Sequence, residues 1–122
     1  MNILVVDDEK AIERLFTQRF RKEIRAGKLT LLFANNGEEA LEIFTSSKTE
    51  VVMILSDINM PGMSGLELLQ QIRQNDSEIT IYMISAYEND EYSRRSSELG
   101  ANGFIPKPLD FEGLKKLLQL EE

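Results

Sequence analysis

At 122 residues the chain is long enough to bury one core and too short for two. Lys and Arg total 14 against 21 Asp and Glu, a net charge of −7, which argues against a domain that grips nucleic acid or an anionic membrane through a positive face. Cys and His are both absent, so disulfides, thiol nucleophiles, imidazole bases, Ser-His-Asp triads and thiolate or imidazole metal sites are excluded.

Met1-Asn2 leads straight into the first apolar run, Ile3–Val6, with neither a positive n-region nor a long apolar h-region, so no signal peptide is expected. The longest uninterrupted hydrophobic run, Val51 to Leu55, is far short of a bilayer span. The expectation is a soluble, cytoplasmic protein without membrane contact, organised as one domain over residues 1–122.

Ile3–Val6 reads as a strand, followed by a helical stripe of Ile12, Leu15, Phe16, Phe20 and Ile24 that ends near Gly27. Leu29–Ala34 is the second strand. A helix start follows at Asn36, with Glu39 three residues on as in a capping box. The third strand is Val51–Leu55. Ser64 and Glu67 open a second such start, before the stripe Leu66, Leu69 and Ile72. Ile79–Ile84 is the fourth strand. The helical segment after it, Asn89 to Leu99, carries only Tyr92 and Leu99 as large apolar residues, so low local stability is expected there. Gly103–Ile105 is a weaker fifth strand. Asp110 is placed to cap a last helix with the stripe Phe111, Leu114, Leu117 and Leu118.

The runs ILVV, VVMIL and ITIYMI lack clean polar alternation, as expected of parallel strands covered on both faces. Strand and helix alternate, so the class is α/β. In a parallel sheet the residues that end each strand gather at one edge, where open α/β folds bind their ligands. Here those residues are Asp7-Asp8-Glu9, Ser56-Asp57, Ser85 and Lys107. Clustered carboxylates repel unless a cation lies among them, and oxygen ligands select a hard ion such as magnesium. Asp7, Asp8, Asp57, Lys107 and a divalent ion sum to neutrality, a site suited to receive a phosphoryl group. A carboxylate can itself be the nucleophile, giving an aspartyl-phosphate.

The segments ILVVDDE (3–9), VVMILSDINMPGMSGLELL (51–69), ISAY (84–87) and GANGFIPKPLD (100–110) together resemble the receiver domain of bacterial two-component response regulators, of the chemotaxis-regulator type, over essentially the whole chain. The resemblance implies a flavodoxin-like, doubly wound five-stranded parallel sheet in the order 2-1-3-4-5 with five flanking helices. It implies Asp57 as phospho-acceptor. Mg2+ (or Mn2+) would be held by Asp8, Asp57 and the main-chain carbonyl of Asn59, with Asp7 acting through water. Lys107 would bind the phosphoryl group, Ser85 would donate to it after transfer, and Phe104 would be the aromatic partner of the switch. Asn59 and Tyr87 stand where the family tunes phosphoryl lifetime, and Lys107-Pro108 where it holds a cis peptide bond.

The implied function is a phosphorylated signalling module, not an enzyme beyond its own phosphorylation and dephosphorylation. Its partners would be a sensor histidine kinase or histidine phosphotransfer protein upstream, and a downstream effector or attached output domain below it in a phosphorelay. Two rivals use the same residues. A haloacid-type magnesium-dependent phosphatase also attacks with an Asp after a strand, but it wants a second acid two positions on, where this chain has Asn59. A docking receiver that is never phosphorylated would show a broken site. The short, acid-ended last helix, running to Leu120 and Glu121-Glu122, suggests that the native chain continues.

Overall fold

The computed structural model describes residues 1–46, 50–86 and 90–119. Its strands are β1 (Asn2–Val6), β2 (Thr30–Ala34), β3 (Met53–Asp57), β4 (Thr80–Ser85) and β5 (Gly103–Pro106). They pair in parallel in the order β2-β1-β3-β4-β5, as expected, and the chain reverses its direction of winding at the β1–β3 junction. The helices are α1 (Lys10–Arg19), α2 (Arg21–Arg25), α3 (Gly37–Thr45), α4 (Gly65–Asn75), α5 (Asp90–Glu98) and α6 (Phe111–Leu117).

Successive strand residues point to opposite faces, so the unbroken apolar runs feed two cores at once. On one face Ile3, Val5, Leu55 and Ile84 pack with Phe16, Phe20, Phe111 and Leu114, under α1, α2 and α6. On the other, Leu4, Val6, Ile54, Ile81 and Met83 pack with Ala40 of α3 and Leu66, Leu68, Leu69 and Ile72 of α4. Phe111 meets Phe16 edge-on at 5.2 Å and Phe20 at 5.9 Å. Each such pair contributes about 0.5–1.5 kcal/mol beyond buried area, which fixes α6 firmly against the first helical segment.

Several boundaries differ from the expectation. The stripe Ile12–Ile24 is divided at Phe20, where φ −104° and ψ 18° leave the helical region, so six helices stand where five were implied. The hydrogen-bond ladder continues across the break, from Phe20 N–H to Phe16 O at 3.0 Å and from Ile24 N–H to Phe20 O at 2.9 Å. Phe20 is fully buried, and its ring packs against those of both Phe16 and Phe111. Strand β3 begins two residues later than the apolar run and ends on Asp57. Strand limits follow pairing, which runs from Ile3↔Met53 to Asp57↔Ile84, while Val52 is 50% exposed. Leu117 is 41% exposed and Leu118 takes the inward position. Asp110 occupies the N-cap position of α6, but its side chain makes no capping bond.

At the far edge Arg73 of α4 reaches across to the turn between α5 and β5. Its guanidinium donates to Gly100 O at 2.9 Å and to Asn102 Oδ1 at 3.0 Å. Asn102 is in turn clamped to β4, accepting from Ile81 N–H at 2.9 Å and donating to Ile81 O at 2.8 Å.

Candidate functional site

The sheet delivers its polar groups with their main chains already fixed. Asp7 follows β1, and its N–H donates to Ala34 O at 3.1 Å, extending the β1–β2 ladder by one residue. Asp57 is the last residue of β3 and pairs with Ile84. Ser85 ends β4, fully buried, and its carbonyl accepts from Lys107 N–H at 2.9 Å. The Lys107-Pro108 bond is cis.

A close approach on the other side of β3 completes the frame. The N–H of Gly65, at the start of α4, donates to Ile58 O at 2.8 Å. A β-carbon at residue 65 would collide with the main-chain oxygen of Asp57 and lie 2.8 Å from the Ile58 Cα, both backbone atoms that cannot step aside. Only glycine lets α4 start this close to Asp57.

Three carboxylates and one ammonium converge here. Lys107 Nζ lies 3.2 Å from Asp7 Oδ2 and 3.5 Å from Asp57 Oδ2. Asp7 and Asp57 are buried, at 8% and 6% exposure, while Asp8 is exposed. Carboxylate oxygens of Asp7, Asp8 and Asp57 all lie within 4.8 Å of one another. Both oxygens of Asp7 are engaged by the protein, Oδ2 by Lys107 and Oδ1 by the N–H of Glu9 at 2.9 Å. Asp8 makes no such bond among the described residues. An all-oxygen cluster of this charge fits a hard divalent ion.

Burial pushes the Asp57 carboxyl above its ordinary value; Lys107 opposes the shift, and the Asp7 charge adds to it. The main-chain N–H of Asn59, bonded to the Asp57 carboxylate, also favours its ionised form. For Lys107, burial pulls the ammonium down, but Asp57, Asp7 and Glu9 together overcome it and hold the group above its ordinary value. A cation among these carboxylates would offset the burial penalty and the Asp7 repulsion that disfavour the Asp57 anion.

The structure thus brings together Asp7, Asp8, Asp57 and Lys107, with Ser85 at the adjoining strand end. Phe104 lies one strand further out, paired with Met83 and half-buried against the α4-side core. Tyr87 falls outside the described residues. Two contacts had no signature in the sequence. Glu9 acts on Lys107 through its charge, and the Tyr92 hydroxyl of α5 donates to Asn59 Oδ1 at 3.5 Å. The isolation of Tyr92 in a polar helix was the one available signal for the second.

The family model described as response regulator receiver domain matches residues 3–119. The chain belongs to that family. Among relatives, the receiver is 35% identical to sporulation initiation phosphotransferase F of Bacillus subtilis (strain 168), covering 98% of this chain and 94% of that protein. It is 32% identical to the DNA-binding transcriptional regulator NtrC of Escherichia coli (strain K12), covering 96% of this chain but 24% of that protein. Among solved structures it resembles response regulator protein TrrA from Thermotoga maritima in complex with Mg(2+)-BeF, with TM-score 0.81 and 32% identity over 98% of this chain and 96% of that one.

Receiver domains are signalling modules of two-component systems, with a phosphorylatable Asp and an acidic Mg2+ pocket as typical features. The fold and the acidic cluster of this receiver agree with that assignment. Among the described residues no helix is long and apolar enough to cross a membrane.

Proposed function

We propose that this receiver takes a phosphoryl group onto Asp57 from a phosphohistidine on a partner protein, a sensor histidine kinase or a histidine phosphotransfer protein. The observation that carries the reading is the placement of Asp57: nearly buried at the end of β3, 3.5 Å from Lys107 Nζ and within one oxygen cluster with Asp7 and Asp8. The chain has no histidine of its own, so the donor imidazole comes from elsewhere. A carboxylate oxygen of Asp57 forms the new P–O bond while the bond from phosphorus to the donor imidazole nitrogen breaks and its electron pair leaves with that ring.

Mg2+ (or Mn2+), held by Asp8, Asp57 and the Asn59 carbonyl, would neutralise charge developing on the phosphoryl oxygens. The freedom of the Asp8 carboxylate supports direct contact there. The double engagement of Asp7 supports an indirect one, through water. Lys107 binds the incoming group from the other side. Ser85 then donates its hydroxyl to the product, and Phe104 shifts into the space vacated, so that the face formed by α5, β5 and α6 reads out the state to an effector or an attached output domain. Modification acts by shifting a pre-existing equilibrium, so the two forms need differ by only a few kcal/mol. A cytoplasmic location goes with this role. An intact set of carboxylates and lysine leaves the docking-only reading without the broken site it requires, and Asn59 leaves the phosphatase reading without its acid.

Incubation with labelled acetyl phosphate and magnesium tests the proposal. Wild-type protein takes up acid-stable, base-labile label, and Asp57→Asn takes up none. Equal labelling of the two would refute the assignment of the acceptor.

A further inference from the structure

Asn59 is held at two points. Its main-chain N–H favours the ionised form of the Asp57 carboxyl, while its side-chain oxygen, Oδ1, accepts from the hydroxyl of Tyr92, 3.5 Å away on α5. It therefore stands between Asp57 and a helix with little buried apolar area. The Tyr92 ring packs against the α4-side core, which fixes where its hydroxyl points. Asn59 and Tyr92 also share an open cleft of about 440 Å³ with Met60, Pro61, Ser64 and Arg95, so water reaches the Asn59 side chain.

We infer that Tyr92 is a positioning residue that prolongs the phosphorylated state by holding the Asn59 carboxamide turned toward α5. The inference rests on the phospho-acceptor reading of Asp57. Loss of the phosphoryl group requires a water whose lone pair faces phosphorus, so its hydrogens must be directed at an acceptor. The Asn59 side chain has a single acceptor atom, Oδ1, beside an amide nitrogen that only donates. Oδ1 keeps a second lone pair, but the bond to Tyr92 turns it toward α5 and holds the carboxamide from rotating to align that water. Releasing it supplies an acceptor close to Asp57, and hydrolysis then speeds up. The contact is long for a hydrogen bond, so the change lies toward the low end of what one such bond governs, about two- to fourfold in rate.

The test uses four proteins: wild type, Tyr92→Phe, Asn59→Ala and the double variant. Phe retains the ring that packs on the core, and Ala at 59 retains the main-chain N–H that binds Asp57. Each is loaded with labelled acetyl phosphate and magnesium and desalted, and the decay of Asp57-bound label is followed. Tyr92→Phe should load like wild type and lose label about two- to fourfold faster. In the Asn59→Ala background the same substitution should change nothing, because the group it acts through is gone. Decay of Tyr92→Phe at or below the wild-type rate overturns the inference, as does the same acceleration in both backgrounds. Failure of the wild type to take label at Asp57 would overturn the acceptor reading and this inference together, whereas normal loading with unchanged decay overturns this inference alone.

Discussion

Helices α4 and α5 follow neighbouring strands and flank the same site, yet they are held in opposite ways. α4 buries Gly65, Leu66, Leu68, Leu69 and Ile72, and opens with a complete capping box, Ser64 Oγ accepting from Glu67 N–H and Glu67 Oε1 from Ser64 N–H. Along α5, Ser96 is the buried residue among those described, and its hydroxyl turns back to Tyr92 O at 2.7 Å, while Tyr92 and Leu99 are only partly covered. A helix with so little apolar area opens at a lower free energy than one seated in the core. Asp57 thus stands beside the firmly packed helix, where a reacting group would be placed accurately. The less buried side is the one that a small differential interaction could shift.

Core truncation breaks this contrast most directly. Leu69→Ala, at a site 1% exposed, should cost about 3 kcal/mol, whereas Leu99→Ala should cost about 1 kcal/mol, both read from urea unfolding. Equal losses would mean that α5 is as firmly seated as α4.

Charge sharpens the contrast, because β3 delivers a carboxylate and β4 a neutral hydroxyl. The folded-state carboxyl of Asp57 lies above its value in the unfolded chain, 3.8, so the folded protein binds the extra proton between the two values. In magnesium-free buffer its contribution to stability is therefore fully present below 3.8 and lost as pH rises through the raised value. Lys107, also raised, contributes stability below 10.5 that is lost as pH climbs through its own folded value. Asp57→Asn should accordingly melt higher than wild type at neutral pH without magnesium. Magnesium at a hundredfold excess over its dissociation constant should add about 2.7 kcal/mol to the wild type and far less to the variant. A melting temperature indifferent to magnesium in the wild type would contradict the metal site.

The smallest effect concerns the cap. Ser64→Ala should cost α4 about 1 kcal/mol and leave hydrogen exchange in α5 unchanged. Faster exchange in both helices would show that they open as one unit.

Much of this was visible in the sequence. The parallel pairing and the edge that collects Asp7, Asp57, Ser85 and Lys107 follow from apolar runs without alternation, because covering both faces of a strand leaves that mark, while the strand order came from the family resemblance. Both helix starts at Asn36 and Ser64 were legible because their bonds are local, spanning three residues. What could not be read depends on partners distant in sequence. The break at Phe20 comes with the packing of Phe111, and the limits of β3 are set by β1 and β4. Leu117 and Leu118 are both apolar at the end of a short helix, and only the packed structure selects Leu118. The role of Gly65 needs the position of the Asp57 carbonyl, which no spacing encodes.

The bolt formed by Arg73, Gly100 and Asn102 secures one end of α5 and has a mechanical consequence. A rod pinned at its C-terminal end does not translate when pushed; it swings. Any displacement would be smallest at the Gly100 pivot and grow toward Tyr92, the end that touches Asn59. The bolt and the Asn59 contact thus stand at opposite ends of the helix, so any swing about the bolt would be felt most beside Asp57.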